Sequence, residues 1–278
     1  MIMALLADFH THTSYCDGAG TPREMVETAY KMGFTDFGIS GHGDYSFCTP
    51  GFGMPDMRLE QYKQELRGLR DEYRGRMNVY IGIELDCLGP VQSADYAIGS
   101  THCIWKDGEY VPVDDTGEAL AGAVGRLWKG DWYAFARDYY EVEATVYDRT
   151  RCHWVGHFDL LTKFNQGNRY FDETKDDYLE PALAAMKKLN SQGVLFEINT
   201  GAVSRGYRSQ PYPSGLLLRE LKGMGGGIII NSDSHRCDTI GYQFEQAVGL
   251  AEACGFRGSW MPCYVNGSQT LEMIYKRF

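Results

Sequence analysis

Short apolar runs alternate with helical stretches along almost the whole of this chain. Residues 5–10 read as a strand. Thr21-Pro22-Arg23-Glu24 then opens a helix that runs to about Met32 and stops at Gly33. Thr21 is its N-cap, Pro22 its first helical position, and Glu24 reaches back to close a capping box. A strand at 36–40 precedes a helix at 59–73, and strands at 79–84 and 96–100 follow. A helical stretch from about 116 to 147 divides near Gly130. Beyond it the pattern predicts strand 154–157, helix 176–191, strand 194–198, helix 214–222, strand 227–231 and helix 244–254. A last strand near 263–265 and a terminal helix at 269–275 complete the series. The strands are short and nearly continuously apolar, as in a parallel sheet covered on both faces. Unbroken alternation, with no linker, repeat or low-complexity tract, predicts one α/β domain over residues 1–278, most simply a parallel barrel.

Such a barrel gathers the loops that follow its strands on one face, where active sites are built. Several of these loops are long. Residues 46–58 are rich in Gly and Pro, 106–117 are polar, and 166–174 and 202–213 carry Arg169, Arg205 and Arg208.

The histidines change the picture. Six of seven sit where a strand runs out: His10, His12, His42, His102, His157 and His235, with His153 the exception. His10 and His12 are two apart on an extended segment, so they share a face. Ser232-Asp233-Ser234-His235 offers a second same-face pair, and the carboxylates Asp17 and Glu84 lie near other histidines. A single histidine at a strand end is ordinarily a hydrogen-bonded core or surface residue. Imidazoles and carboxylates recurring on one face of a barrel are instead the donor set of a multinuclear metal site.

Composition sets outer bounds. The net charge of −10 argues against nucleic-acid or anionic-membrane binding through surface charge. No stretch approaches the roughly 18 apolar residues of a membrane span, and residues 1–7 are too short for a signal-peptide core. Eight scattered cysteines without a C-x-x-C pair read as reduced thiols of a cytoplasmic protein. Cys16, Cys103 and Cys237 neighbour the proposed ligands; small-residue packing accounts for them, with ligation by one as the alternative.

The series His10-x-His12, Asp17, Ser40-Gly41-His42, Gly82-Ile83-Glu84, Ser100-Thr101-His102, Gly156-His157-x-Asp159 and Ser232-Asp233-Ser234-His235 resembles the polymerase and histidinol phosphatase (PHP) superfamily. The resemblance implies a distorted (β/α)7 TIM-like barrel holding three divalent transition-metal ions at its C-terminal face. It implies one ion on His10, His12, Glu84 and Asp233. Glu84 would bridge to a second, completed by His102 and His157, and the third would take Asp17, His42 and His235. Zn, Fe and Mn all suit such ligands. The segment from Phe196 to Gly201, then Arg205 and Tyr212-Pro213-Ser214, resembles the histidinol-phosphate phosphatase branch. The implied reaction is hydrolysis of a small phosphate monoester, foremost L-histidinol phosphate, by a hydroxide bridging two cations.

Within that reading Glu84, Asp233 and His235 form the catalytic group, with Arg205 and Lys163 as the phosphate clamp. Arg169 and Arg208 compete for the clamp. Glu197 and Asn199 share a face and are candidates to orient ligand histidines. Asp44, Asp56, Tyr45, Phe47 and Phe52 offer a pocket for an amine and an imidazole. The expected partner is a small phosphate ester, with neither nucleic acid nor membrane. Two other functions stay open: a phosphoesterase of the same mechanism acting on another phosphate ester or a short nucleotide, and a non-catalytic metal-stabilised binding module.

Overall fold

The computed structural model describes residues 6–49, 51–265 and 271–278. The chain opens with strand β1 (Ala7–Asp8), helix α1 (Pro22–Lys31), β2 (Asp36–Ile39), α2 (Asp56–Tyr73), β3 (Asn78–Asp86) and β4 (Tyr96–Ser100). Hairpin strands β5 (Cys103–Lys106) and β6 (Glu109–Pro112) lead to α3 (Gly117–Leu127), α4 (Trp132–Glu143) and α5 (Val146–Thr150). There follow β7 (Trp154–Val155), α6 (Asp176–Ser191), β8 (Leu195–Asn199), α7 (Gly201–Ser204), α8 (Gly215–Gly223), β9 (Ile228–Asn231) and α9 (Phe244–Ala253). Strands β10 (Gly258–Tyr264) and β11 (Leu271–Arg277) end the chain.

Seven strands form one parallel sheet in the order β1-β2-β3-β4-β7-β8-β9. The sheet curls until its edges meet. Thr11 bridges Ser234 in parallel, His12 N donates to Ser234 O at 2.8 Å, and Ser234 N donates to His10 O at 3.2 Å. Side chains stitch the same seam. Asn231 Oδ1 accepts from Phe9 N at 2.9 Å, and the buried Asp8 carboxylate accepts from the Ser232 and Gly241 amides. Burial pushes the Asp8 carboxyl up to about 6, although these donors pull the other way. The result is the distorted, nearly closed barrel that the sequence implied.

Packing explains the helices. In α2, Leu59, Tyr62, Leu66, Leu69 and Tyr73 are buried at three- and four-residue spacing, one stripe against the sheet. The Tyr62 hydroxyl lies 2.6 and 2.8 Å from the carbonyl oxygens of Ile39 and Gly82. Helix α1 carries both halves of the expected capping box, and Gly33 follows at φ +89°, a conformation glycine adopts without strain. Tyr96 fills the barrel interior and donates to Phe9 O at 2.6 Å. It fits because Gly38 and Gly82 lack side chains: a Cβ at either would lie within 2.3 Å of the Tyr96 ring or hydroxyl.

Three expectations are corrected. The terminal helix does not form; β11 pairs antiparallel with β10, Leu271 opposite Tyr264 through Arg277 opposite Gly258. The expected start of that helix at 269–270 lies outside the described residues, as does Leu5 of the first strand. Leu271, Met273 and Ile274 instead cover a second apolar cluster containing Phe9, Tyr80, Tyr96, Trp154 and Met261, so burial overrides local helical propensity. The last predicted strand is accordingly longer, and it belongs to this hairpin. Secondly, the loop expected at 106–117 contains the hairpin β5–β6, turning at Asp107 and Gly108 with φ +49° and +94°. Asp-Gly is the strongest short hairpin signal. Thirdly, the helical stretch expected at 116–147 is three helices, α5 being separate.

Glu143 at the end of α4 is fully buried, and neither carboxylate oxygen has a hydrogen-bond partner. Burial pushes its carboxyl up to about 8, and the nearby Thr101 hydroxyl offsets this only in part. Below the unfolded pKa, about 4.3, both states are protonated and the group contributes nothing. Between there and about 8 the unfolded chain ionises while the folded one keeps its proton, so stability falls as pH rises. Glu143→Met is therefore expected to stabilise the protein, by a margin that grows from pH 5 to pH 8. Urea melts at both pH values test this; a margin independent of pH would refute it.

Candidate metal centre

The strand ends deliver the ligand candidates to one point. His10 and His12 follow β1, His42 follows β2, Glu84 lies within β3, His102 follows β4, His157 follows β7, and Asp233 and His235 follow β9. Asp17 arrives on the turn after His12. The histidines and Glu84 are buried, apart from the half-buried His235. Asp17, His42, Glu84, His102, His157, Asp233 and His235 line a cavity of about 160 Å³, and the buried His10 and His12 touch it through Glu84 and Asp233.

Glu84 is the centre of this arrangement. Its Oε2 lies 3.2, 3.4 and 3.0 Å from His10 Nε2, His12 Nε2 and His42 Nδ1. Its Oε1 lies 3.2 and 2.9 Å from His102 Nε2 and His157 Nε2, and Ser100 Oγ donates to it at 2.7 Å. The two oxygens thus face separate sets of imidazoles, the geometry of a bridging carboxylate. The donor atoms gather into four groups: His12, Asp17, His42 and His235; His10, His12 and Asp233; His10, Glu84 and His157; and His42, Glu84 and His102. This grouping differs from the implied partition. His12 stands with the Asp17 group as well as with His10, and His42 faces Glu84 as well as Asp17.

The protonation pattern fits divalent cations. His10 Nδ1 lies 2.8 Å from Glu197 Oε1; a carboxylate only accepts, so Nδ1 carries a proton and Nε2 is the atom left to ligate. Nε2 faces Glu84 Oε2 at 3.2 Å, and neither atom has a hydrogen-bond partner. Burial lowers the His10 imidazole, but Glu197, Glu84 and Asp233 outweigh it and raise it well above its ordinary value: the cleft holds positive charge, either a proton on Nε2 or a divalent cation in its place. Burial, His235 and His42 hold the His12 imidazole down to about 3, so it is neutral and able to ligate at pH 7.

The supporting residues are equally specific. Glu197 Oε1 also accepts from Asn231 Nδ2 at 2.8 Å, and its Oε2 accepts from Asn199 Nδ2 at 2.8 Å and from His157 N at 3.1 Å. One carboxylate thereby holds the His10 ring and the His157 backbone, at the place anticipated for Glu197, while Asn199 acts on it from one side. Arg205 donates to Asp233 O and Asp233 Oδ2, both at 3.0 Å, and lines the cavity beside Lys163. Lys163 Nζ donates to Asp114 O at 2.6 Å.

Other candidates lie elsewhere. Arg208 is tied bidentately to Glu173 at 2.7 and 2.8 Å, and Arg169 is exposed over the Tyr170 ring. Of the proposed imidazole pocket, only Phe52 lines the cavity. Tyr45 is buried and donates to Asp86 at 2.8 Å, Asp44 accepts from Ser46 N, and Asp56 accepts from Gln92. Phe47 packs between Tyr45 and Tyr110. His153 accepts from Ala97 N, as ordinary strand-end histidines do. Asp114 and Tyr207 at the rim were not anticipated. The Asp-Gly turn at 107–108 was the signal that would have brought Asp114 back toward the site.

A PHP domain model matches residues 8–201, and the chain belongs to the PHP domain family. It is 25% identical over 264 residues to a histidinol-phosphatase of Bacillus subtilis, covering 86% of this chain and 96% of that one. Two solved structures share the fold. A putative histidinol phosphatase of Listeria monocytogenes matches with a TM-score of 0.72 at 18% identity, over 86% of this chain and 99% of that one. A histidinol phosphate phosphatase of Lactococcus lactis, complexed with zinc, L-histidinol and phosphate, matches with a TM-score of 0.63 at 20% identity, over 92% and 95%.

If Glu197 holds His10 in its ligating form, Glu197→Gln lowers metal affinity by about 10–100-fold. Competition against a chromophoric chelator measures it; wild-type affinity in the variant would remove Glu197 from the site.

Proposed function

We propose that this chain hydrolyses L-histidinol phosphate to L-histidinol and phosphate, with three divalent transition-metal ions (Zn, Fe or Mn) held by His10, His12, Asp17, His42, Glu84, His102, His157, Asp233 and His235. The enzyme class is that of a phosphoric monoester hydrolase of the PHP family. The carrying observation is the Glu84 carboxylate set between five imidazoles, with Lys163 and Arg205 on the rim of the same cavity. The histidinol-phosphatase names of its relatives support the choice of substrate.

A phosphate monoester dianion repels nucleophiles and resists hydrolysis strongly. Bound divalent cations polarise the phosphate and make a water nucleophilic at neutral pH. The chain's own residues do the rest. Glu84, Asp17 and Asp233 bring negative charge that would offset the mutual repulsion of cations held there. Arg205 and Lys163 offset the charge on the phosphate oxygens, Arg205 with a planar fork that suits them. His235 Nε2 lies 3.0 Å from Asp17 Oδ2, and its Nδ1 faces both Asp233 O at 3.0 Å and Arg205 Nη1 at 3.1 Å. Phe52 and Leu160 line the cavity and limit the water that reaches it.

Elemental analysis of metal-loaded protein is expected to find close to three ions per chain; fewer than one would overturn the reading. In phosphate-release kinetics, histidinol phosphate is expected to exceed glycerol phosphate in kcat/KM by at least about tenfold, worth about 1.4 kcal/mol. A better sugar phosphate or nucleotide would shift the substrate and keep the chemistry.

The two rim cations separate in their effects. Lys163→Met raises KM with metal content intact, because Lys163 touches no ligand residue. Arg205→Ala costs about one to two decades in kcat/KM and also lowers metal content, because Asp233 loses two donors. Equal metal content in both variants would remove Arg205 from the support of Asp233.

A further inference from the structure

The cavity, about 160 Å³, is smaller than the roughly 300 Å³ at which small-molecule sites ordinarily begin. A phosphate fits; a phosphate ester with a ring-bearing leaving group does not. The leaving group must therefore pass the rim. Among the described residues two grooves adjoin. One, of about 620 Å³, shares only the Phe52 ring with the cavity, and that ring packs against His42 with centroids 4.7 Å apart. The other, of about 570 Å³, shares Lys163 and Tyr207 with the cavity and has Phe164 and Tyr170 in its wall.

Asp114 stands at this second junction. It lines the cavity, and its neighbour Asp115 lines the groove. Asp17, Glu84 and Asp233, the other carboxylates lining the cavity, all belong to metal-ligand groups; Asp114 belongs to none. Burial alone would raise its carboxyl, but Lys163, then His102, His157 and His42, hold it below the usual range. Lys163 Nζ lies 3.5 Å from the nearer carboxylate oxygen. A carboxylate has about four acceptor positions, so one ammonium at that distance leaves room for another.

We propose that the groove beyond Lys163 and Tyr207 is the leaving-group subsite, and that Asp114 selects a leaving group carrying a protonated amine. The inference rests on the phosphatase reading and deepens it. With the phosphate between Arg205 and Lys163, the amine meets Asp114 at the neck. The remainder, an aromatic ring by preference, packs among Phe164, Tyr170 and Tyr207, where Phe164 and Tyr207 already meet edge-on at 5.4 Å. Were Asp114 only a support for Lys163, its loss would weaken every phosphate ester alike.

The test compares two esters that differ by the amine: L-histidinol phosphate and 3-(imidazol-4-yl)propyl phosphate. The metal-loaded wild type is expected to favour the first in kcat/KM by at least about tenfold, and Asp114→Asn to lose most of that ratio. An unchanged ratio, with both esters slowed together, overturns the proposal. Calorimetric binding of the product L-histidinol and of its des-amino alcohol gives a readout independent of turnover and of any variant. Equal affinity of the wild type for the two alcohols also overturns the subsite. If neither ester is hydrolysed while L-histidinol still binds at least about tenfold tighter, the phosphatase reading fails and the subsite stands.

Discussion

The burial of one carboxylate among five imidazoles organises this molecule. Glu84 reaches five imidazoles within 3.4 Å, and removing such a group from water costs several kcal/mol unless it is paired. Its surroundings supply the pairing. Burial raises the Glu84 carboxyl, but His10, His42 and His102 outweigh it and keep the group ionised. Ser100 donates to one oxygen, and the other faces imidazole nitrogens alone. Positive charge, as imidazolium protons or as divalent cations in their place, is what this carboxylate needs.

The barrel seam serves this arrangement directly. The first and last strands of the sheet meet through Thr11 and Ser234, and each flanks ligand candidates: His10 and His12 on one side, Asp233 and His235 on the other. His12 and His235 consequently stack with ring centroids 4.1 Å apart, although more than two hundred residues separate them. Asp8 and Asn231 hold the seam from beneath. Glu197, on the neighbouring strand, accepts from Asn231 as well as His10. Barrel closure and ligand orientation are thus one hydrogen-bond network, and a change in either disturbs the other.

The rim divides its cations by what holds them. Arg208 is spent on Glu173, Arg205 is committed to Asp233 yet still faces the cavity, and Lys163 is steered by the Asp114 carbonyl. An arginine fork already making two bonds at 3.0 Å retains other N–H groups for a ligand. Binding of substrate anion and positioning of a metal-ligand carboxylate can therefore fall to one side chain. Lys163, a point charge on a flexible stem, gains its direction from Asp114 and from the Phe164 and Tyr207 rings about 5 Å away.

Much of the barrel and its donor set was legible in the sequence, because each candidate ligand ends a local element whose period can be read from a few residues. Two-residue spacing puts His10 with His12, and Glu197 with Asn199, on common faces whatever the rest of the chain does. The capping box at Thr21 and Glu24 is local in the same way. The grouping of donors around Glu84, the division of labour among the arginines and the entry of Asp114 depend instead on distances across the barrel mouth. The terminal segment shows the same limit. Residues 271–277 carry a pattern open to helix or strand, and the apolar cluster beneath the barrel, with β10 alongside, made them a strand. By itself the sequence determined which residues stand at strand ends and which faces they share, since those follow from backbone geometry. Only the tertiary structure decided which of them meet, since that follows from how a curled sheet brings its two distant edges together.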